Sequence, residues 1–393
     1  MTLPAPFNKD LKVLVLAGAN QVPSGDLNEV SRYPGGETPL EAKSFLRLRG
    51  RLVIEYVLDW ILGAGLQRIW VLAPEQCLAT IPKKYEFEPL LQSPGATLSN
   101  NLLQGKEQVP LEPAEPALVV FGDHPLTTPN ALEDFLSFCG PRLHEADLFH
   151  GLALRRSYLE YSKYFHRTSM LMREAAGRAT GLNLMIPDRI AGIPAADHVY
   201  SVRKLERFGR FISLLGRTLY LLGNSAPGAM LDAARLYAAK EFEKLSRQPG
   251  SRGAIGKHGM HRLRRQVKLS QVEKYATKLF GARNGVRLVP LAHGGTAIDV
   301  DFAEELDVLE KHWDDLKMIA RRQDQASRAG RSSLQQGPLS TREPSALRCR
   351  QSDNRANDRQ ARPVVDKFQV SLTSSALARQ SHLSAMLNRR WAQ

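Results

Sequence analysis

A three-layer α/β/α fold, built on a mostly parallel sheet with a helical insertion, is predicted by three observations. Short apolar runs alternate with helical patterns through the first third of the chain. The first ends at a glycine and a later one in a Gly-Asp turn, as strands feeding ligand-facing loops do. Strand character returns at 286–300, after a stretch at about 200–283 that reads as mainly helical. The 393 residues are 43% hydrophobic and 24% charged, which excludes a fibrous or wholly disordered chain.

The run at 11–17 is almost continuously aliphatic and stops at Gly18, which marks a central strand buried on both faces. Leu52, Val53, Tyr56, Val57, Trp60, Ile61 and Ala64 recur at three- and four-residue spacing, an amphipathic helix closed by Gly65. Strands follow at 69–73 and 117–121. Thr128-Pro129 supplies a cap and a first-turn proline for a helix reaching 138. Strands at 148–154 and 182–186 surround a basic, aromatic-rich stretch. Within the insertion, Met230, Ala234, Tyr237, Ala238, Phe242 and Leu245 form one stripe. Ser270-Gln271-Val272-Glu273 reads as a capping box for a helix that Gly281 ends. Strands at 286–290 and 296–300, then a helix lined by Leu306, Leu309, Trp313, Leu316 and Ala320, complete a domain placed at 1–322.

The net charge of +14 raises the question of a nucleic-acid partner, and its distribution answers it. Residues 321–393 hold 14 Lys+Arg against 5 Asp+Glu, which leaves 40 against 35 for 1–320. The segment 323–393 is dominated by Arg, Ser and Gln and is expected to be a disordered basic tail. With only Phe368 and Trp391 as aromatics it has little to stack on bases, so nucleic-acid contact through it would be non-specific and salt-sensitive. Cys77, Cys139 and Cys349 show neither disulfide nor metal-ligand spacing, which fits a reducing cytoplasm. The first ten residues lack the basic region and apolar core of a signal peptide, so none is expected. The longest apolar stretch, 211–223, is interrupted by Arg217 and too short for a bilayer, so no membrane partner is expected.

Three features stand in chain order at predicted strand ends. The first is Leu14-Val15-Leu16-Ala17-Gly18, with Lys43 and the helix of Glu55-Tyr56-Val57-Leu58 downstream. The second is Gly122-Asp123-His124-Pro125, and the third Asp299-Val300-Asp301-Phe302-Ala303-Glu304-Glu305-Leu306. Together with Gly50-Arg51-Leu52-Val53-Ile54, this set resembles the MobA-like NTP transferase superfamily, nucleotidyltransferases with a GT-A-type fold. The resemblance spans roughly 11–320. It likens Gly95, Ser99 and Asn101 to the loop that contacts the base, and Thr180-Gly181-Leu182-Asn183 to a segment on the acceptor side.

The resemblance implies a magnesium-dependent enzyme that transfers a nucleoside monophosphate from a triphosphate to a small phosphorylated or hydroxylated acceptor, releasing pyrophosphate. Magnesium takes hard oxygen ligands, which Asp123 and Asp301 offer, with Asp299 as a third. Lys43 supplies a point charge for the phosphates, and the backbone of Ala17, Gly18 and Ala19 their cradle. Arg167, Asn183 and Lys204 are candidates for the acceptor side, and a homodimer is one possible assembly.

Simpler roles exist for each: a turn cap for Asp123, an N-cap for Asp301, solvated charges for Lys43, Arg167 and Lys204. The sequence also departs from the family pattern. Gly18-Ala19-Asn20-Gln21-Val22-Pro23-Ser24-Gly25 lacks the usual second glycine and arginine, and Phe302-Ala303 replaces Thr-Pro. Two alternatives therefore stand beside the transferase reading. One is a GT-A glycosyltransferase whose metal motif is Asp299-Val300-Asp301; the other is an eroded scaffold that binds a ligand or partner.

Overall fold

The structure, a computed structural model, describes residues 7, 9–18, 42–165, 169–197, 228, 231–232, 235, 267–301 and 303–335. The chain divides into two compact units, Met1–Gly337 and Pro338–Gln393, and every described residue lies in the first. The 230–245 stripe and the tail beyond 335 lie outside the described residues, as do Ala19, Arg167 and Lys204.

In chain order the strands are β1 (Lys12–Leu16), the small hairpin of β2 (Arg47–Leu48) and β3 (Arg51–Leu52), then β4 (Ile69–Ala73), β5 (Glu88–Leu91), β6 (Ala117–Phe121), β7 (Leu148–Leu154), β8 (Met170–Leu171), β9 (Ala176–Met185) and β10 (Val286–Leu291). The helices are α1 (Val53–Gly63), α2 (Glu75–Leu78), α3 (Leu98–Gln108), α4 (Pro129–Cys139), α5 (Arg155–Tyr158), α6 (Leu269–Phe280) and α7 (Ala303–Gln335), the last bent at His312. One sheet runs β10-β7-β9-β6-β1-β4-β5, with β8 beside β9. Its pairs are parallel except those of β9, which runs antiparallel to β6, β7 and β8.

The aliphatic run of β1 is buried on both faces, as a central parallel strand requires. Val13 and Val15 pack into a core with Ile54, Val57, Ile61, Leu132 and Phe135 of α1 and α4. Leu14 and Leu16 face the opposite core with Trp70, Leu72 and Val119, against which Leu98 and Leu102 of α3 pack. The Thr128 hydroxyl accepts the Ala131 N–H at 3.2 Å and caps α4, ahead of Pro129. Gly65 (φ +86°) follows α1 and Gly281 (φ +54°) ends α6, both in the left-handed region that glycine favours.

Four expectations need correction. The stretch 296–300 is not a strand: Gly294–Ala297 is a single 3-10 turn, and 298–300 continue outside the sheet. A Cβ on Gly294 would lie 2.5 Å from the Ser157 carbonyl, so this backbone is tucked against α5, where no strand could offer it a ladder. The strand expected at 182–186 is β9, which starts earlier and spans Ala176–Met185. The capping box of α6 lies two residues earlier: the Gln271 side chain accepts the Lys268 N–H at 3.0 Å, while Glu273 turns inward to the Leu288 N–H. Finally, the last helix, whose expected stripe ends at Ala320, runs on to Gln335 as α7, with Gln323, Asp324 and Ser327 packed and hydrogen-bonded.

Candidate active site

The ends of β1 and β6 and the turn after β10 converge. At Gly122 an added Cβ would lie 2.7 Å from Ser44 Oγ and 3.0 Å from the Ala17 side chain, so only glycine lets the 3-10 turn Lys43–Phe45 close over both strand ends. That approach brings Lys43 to the carboxylates: its Nζ lies 2.5 Å from Asp301 Oδ1, with both side chains about four-fifths buried. The Val300 N–H donates to the Asp123 carbonyl at 3.1 Å and joins the late Asp-x-Asp segment to the Gly-Asp turn. Carboxylate oxygens of Asp123, Asp299 and Asp301 consequently lie within 4.8 Å of one another.

The three carboxylates differ in environment. Asp299 is buried (2% exposed) and receives Arg178 Nη2 at 3.4 Å, while Arg178 Nε donates to the Ala297 carbonyl. The backbone N–H of Asp301 donates to Glu305 at 2.8 Å and its side chain takes Lys43. Asp123 Oδ1 is buried without a hydrogen bond; His124 Nε2 stands 3.5 Å away. Burial pushes the Asp123 pKa up, and the negative charges of Asp299 and Asp301 add to the rise against the opposing His124 and Lys43. A hard cation matches this set: three oxygen donors, one of them unsatisfied and crowded by like charge. His124 is fixed over β9, since a Cβ on Gly181 would lie 2.5 Å from its ring.

Of the residues expected to contact the base, Asn101 meets the strand end. A Cβ on Gly18 would come within 2.7 Å of Asn101 Nδ2 and 2.8 Å of Gln92 Oε1. Asn101 is buried and its Oδ1 has no partner. Gly95 forms the exposed turn before α3 (φ +74°). Ser99 is engaged within the protein: Asp197 accepts its N–H at 2.8 Å and its hydroxyl as well, and also takes the Thr97 hydroxyl at 2.7 Å. Asn183 lies mid-sheet, aligned with Val119 of β6 and His150 of β7, and its Oδ1 is 2.6 Å from His150 Nδ1.

Lys43, Asp123, Asp299 and Asp301 are thus brought together, and so are Ala17, Gly18 and Asn101 beside them. Arg178, Asp197, Ser44 and Gln92 were not anticipated. Arg178 lies in a strand and Asp197 in the helical residues 195–197, with no local motif; only their distant partners give them meaning.

Among solved structures, a hypothetical transferase from Thermus thermophilus is 21% identical, covers 76% of this chain and 99% of its own, and has a TM-score of 0.49. The CMP:2-keto-3-deoxy-manno-octonic acid synthetase complexed with CTP is 11% identical over 78% of this chain and 99% of its own, TM-score 0.41. The 4-diphosphocytidyl-2C-methyl-D-erythritol synthase from Anaerococcus prevotii is 10% identical over 78% and 100%, TM-score 0.38. No curated protein sequence matches. Residues 31–149, which carry Lys43, the Gly50 to Leu58 motif and the Gly-Asp-x-Pro turn, match the model of the MobA-like NTP transferase domain, the superfamily that the motifs resemble.

Proposed function

We infer that this chain is a magnesium-dependent nucleotidyltransferase that joins a nucleoside monophosphate to a small phosphorylated or hydroxylated acceptor and releases pyrophosphate. The observation that carries the reading is the convergence of Asp123, Asp299 and Asp301 with Lys43, where one buried carboxylate oxygen lacks a partner. Asp123 and Asp301 hold the ion, and Asp299, already neutralised by Arg178, supports them. Magnesium, when bound, supplies positive charge against the reacting phosphate.

The chain's own residues do the rest by positioning and charge. Lys43 is a compact ammonium beside the carboxylates that neutralises triphosphate oxygens. The backbone of Ala17 and Gly18, abutting Asn101, forms the nucleotide side of the site, with Gly95 in the turn before α3 and Ser99 in the first turn of that helix. Asn183 belongs to the acceptor side, with Arg167 and Lys204 as further candidates there. The reaction is placed in the cytoplasm.

The test is pyrophosphate release by the full chain with magnesium, each common nucleoside triphosphate and a mixture of sugar and alcohol phosphates. Turnover that falls roughly a thousandfold or more in Asp123→Ala supports the assignment. Robust turnover by that variant removes Asp123 from the site, and binding of sugar nucleotides with no pyrophosphate release points to a glycosyltransferase.

A further inference from the structure

We propose that His293 is a positioning residue for the carboxylate centre: clamped between Asp134 of α4 and Asp324 of α7, its ring locks the loop that delivers Asp299 and Asp301 onto the turn that delivers Asp123. The inference rests on the nucleotidyltransferase reading and assigns a role to a cluster outside the site itself.

His293 stands two residues after β10, at the start of the segment that ends in Asp299 and Asp301. Its ring is 3% exposed. Nε2 lies 2.6 Å from Asp134 Oδ2 and Nδ1 3.3 Å from Asp324 Oδ1. A ring with a carboxylate at each nitrogen donates from both and is therefore the charged form. Asp324 also accepts the Thr128 hydroxyl at 2.7 Å, so the clamp reaches the N-cap of α4, five residues after Asp123. The Ser327 hydroxyl donates to Asp134, the same carboxylate that meets Nε2.

The neighbouring backbone repeats the connection. The Gly294 N–H donates to Gln323 Oε1 at 2.7 Å, and Gln323 Nε2 donates to the Ser157 carbonyl at 2.8 Å. A Cβ on Gly295 would fall 2.5 Å from the Leu126 carbonyl, so this loop presses directly on the 124–128 turn. The clamp thus sits where the two carboxylate-bearing segments first meet. At their far ends the Val300 N–H joins the Asp123 carbonyl. Slack at His293 would widen the spacing of Asp123 against Asp299 and Asp301.

The charge of the clamp makes this positioning pH-dependent. Burial opposes a charged ring, but the hydrogen bonds and charges of Asp134 and Asp324 outweigh it and raise the His293 pKa. Among the described residues the other groups around the clamp are Arg322 paired with Glu160, Arg328 bound to Asn130, and Lys317 and the Tyr161 hydroxyl, which both interact with the Asp324 charge. A raised histidine pKa means that the clamp's contribution is complete below the ordinary value of about 6.5 and is lost as pH rises through the raised one.

The experiment is calorimetric titration of the full chain with manganese ion from about pH 6 to about pH 8.5, alongside thermal unfolding. Direct partners of metal ligands typically change affinity by 10–100-fold, and His293 acts one step further out. His293→Gln is therefore expected to weaken binding by up to about tenfold at the acid end, with Asp324→Asn between it and the wild type. The gap narrows toward alkaline pH as the wild-type clamp loses its proton. A clamp that serves stability alone would lower the unfolding temperature of both variants and leave manganese affinity equal to the wild type, which overturns the proposal. If His293→Gln does not fold, Asp324→Asn and the wild-type pH profile decide in the same way. Absence of manganese binding by the wild type at every pH is a different result: it removes the metal centre of the proposed function, and the positioning role with it.

Discussion

Two clusters of carboxylates lie close together in this fold and are treated in opposite ways. Around His293 every charge is answered: Asp134 and Asp324 flank one imidazolium, and Thr128 and Ser327 add hydroxyl donors. Around Asp123 three carboxylates crowd within 4.8 Å against Lys43 and Arg178, and a buried oxygen is left without a partner. A buried polar network that is fully satisfied rigidifies a fold, whereas one left incomplete weakens it and is retained where a ligand completes it. The difference is why we read the first cluster as scaffold and propose the second as the site.

Substitution at the two clusters should shift stability in opposite directions. Asp134→Ala leaves a buried imidazolium with one counter-charge and is expected to cost about 3 kcal/mol, read as a fall in the unfolding midpoint. Next in size is Gly122→Ala, whose methyl group would meet Ser44 Oγ and the Ala17 side chain and push the Lys43 turn outward. Overpacking of this kind costs about 1–3 kcal/mol, and turnover should fall more than stability does because Lys43 is displaced from Asp301. Asp123→Asn is expected to gain about 1 kcal/mol in metal-free buffer, some 2–4 °C, while abolishing turnover. The sign follows from the raised Asp123 pKa. Protonated and neutral at low pH, the side chain is harmless; as pH rises through its raised value the wild type loses stability and the asparagine variant does not. Equal midpoints for wild type and variant across that range would mean that the carboxylates do not oppose folding.

The same contrast governs what could be read from the sequence. Gly122-Asp123-His124-Pro125 and Asp299-Val300-Asp301 are contiguous, so their chemistry is visible before any contact is known. The clamp is invisible because its members are separated by 159 residues between Asp134 and His293 and by 193 between Asp134 and Ser327. Gln323, Asp324 and Ser327 consequently look like the start of a polar tail, although they form the packed face of α7. Thr296-Ala297-Ile298 has strand-like composition, yet Gly294 and Gly295 fit so tightly against Ser157 and Leu126 that a 3-10 turn replaces the strand. The central parallel strands β1, β4 and β6 were legible because burial on both faces leaves unbroken aliphatic runs, whereas the parallel edge strand β5, exposed at three of its four positions, was not. The helix α3 was not legible either: Thr97 caps it locally by accepting the Asn100 N–H, but Ser99, Asn100 and Asn101 in its first turn carry no apolar period, and Asp197, which accepts the Ser99 N–H, is about a hundred residues away.

Asp197 also bears on how the nucleotide side is built. A helix N-terminus favours an anion, and at α3 that place is taken by the Asp197 carboxylate, which accepts the Ser99 N–H and hydroxyl. Asn101, two residues on from this contact, points its Nδ2 toward Gly18 and has an unpartnered Oδ1. On the proposed function, Ser99 therefore contributes by holding α3, and Asn101 is the residue expected to touch the nucleotide. Ser99→Ala removes one hydroxyl donor and leaves the backbone bond to Asp197, so a loss of about 0.5–1 kcal/mol in stability is expected with little change in KM for the triphosphate. Asn101→Ala should instead raise that KM at nearly unchanged kcat, the pattern of lost uniform binding. A KM rise in Ser99→Ala as large as in Asn101→Ala would return the serine to the nucleotide and make Asp197 the group that yields.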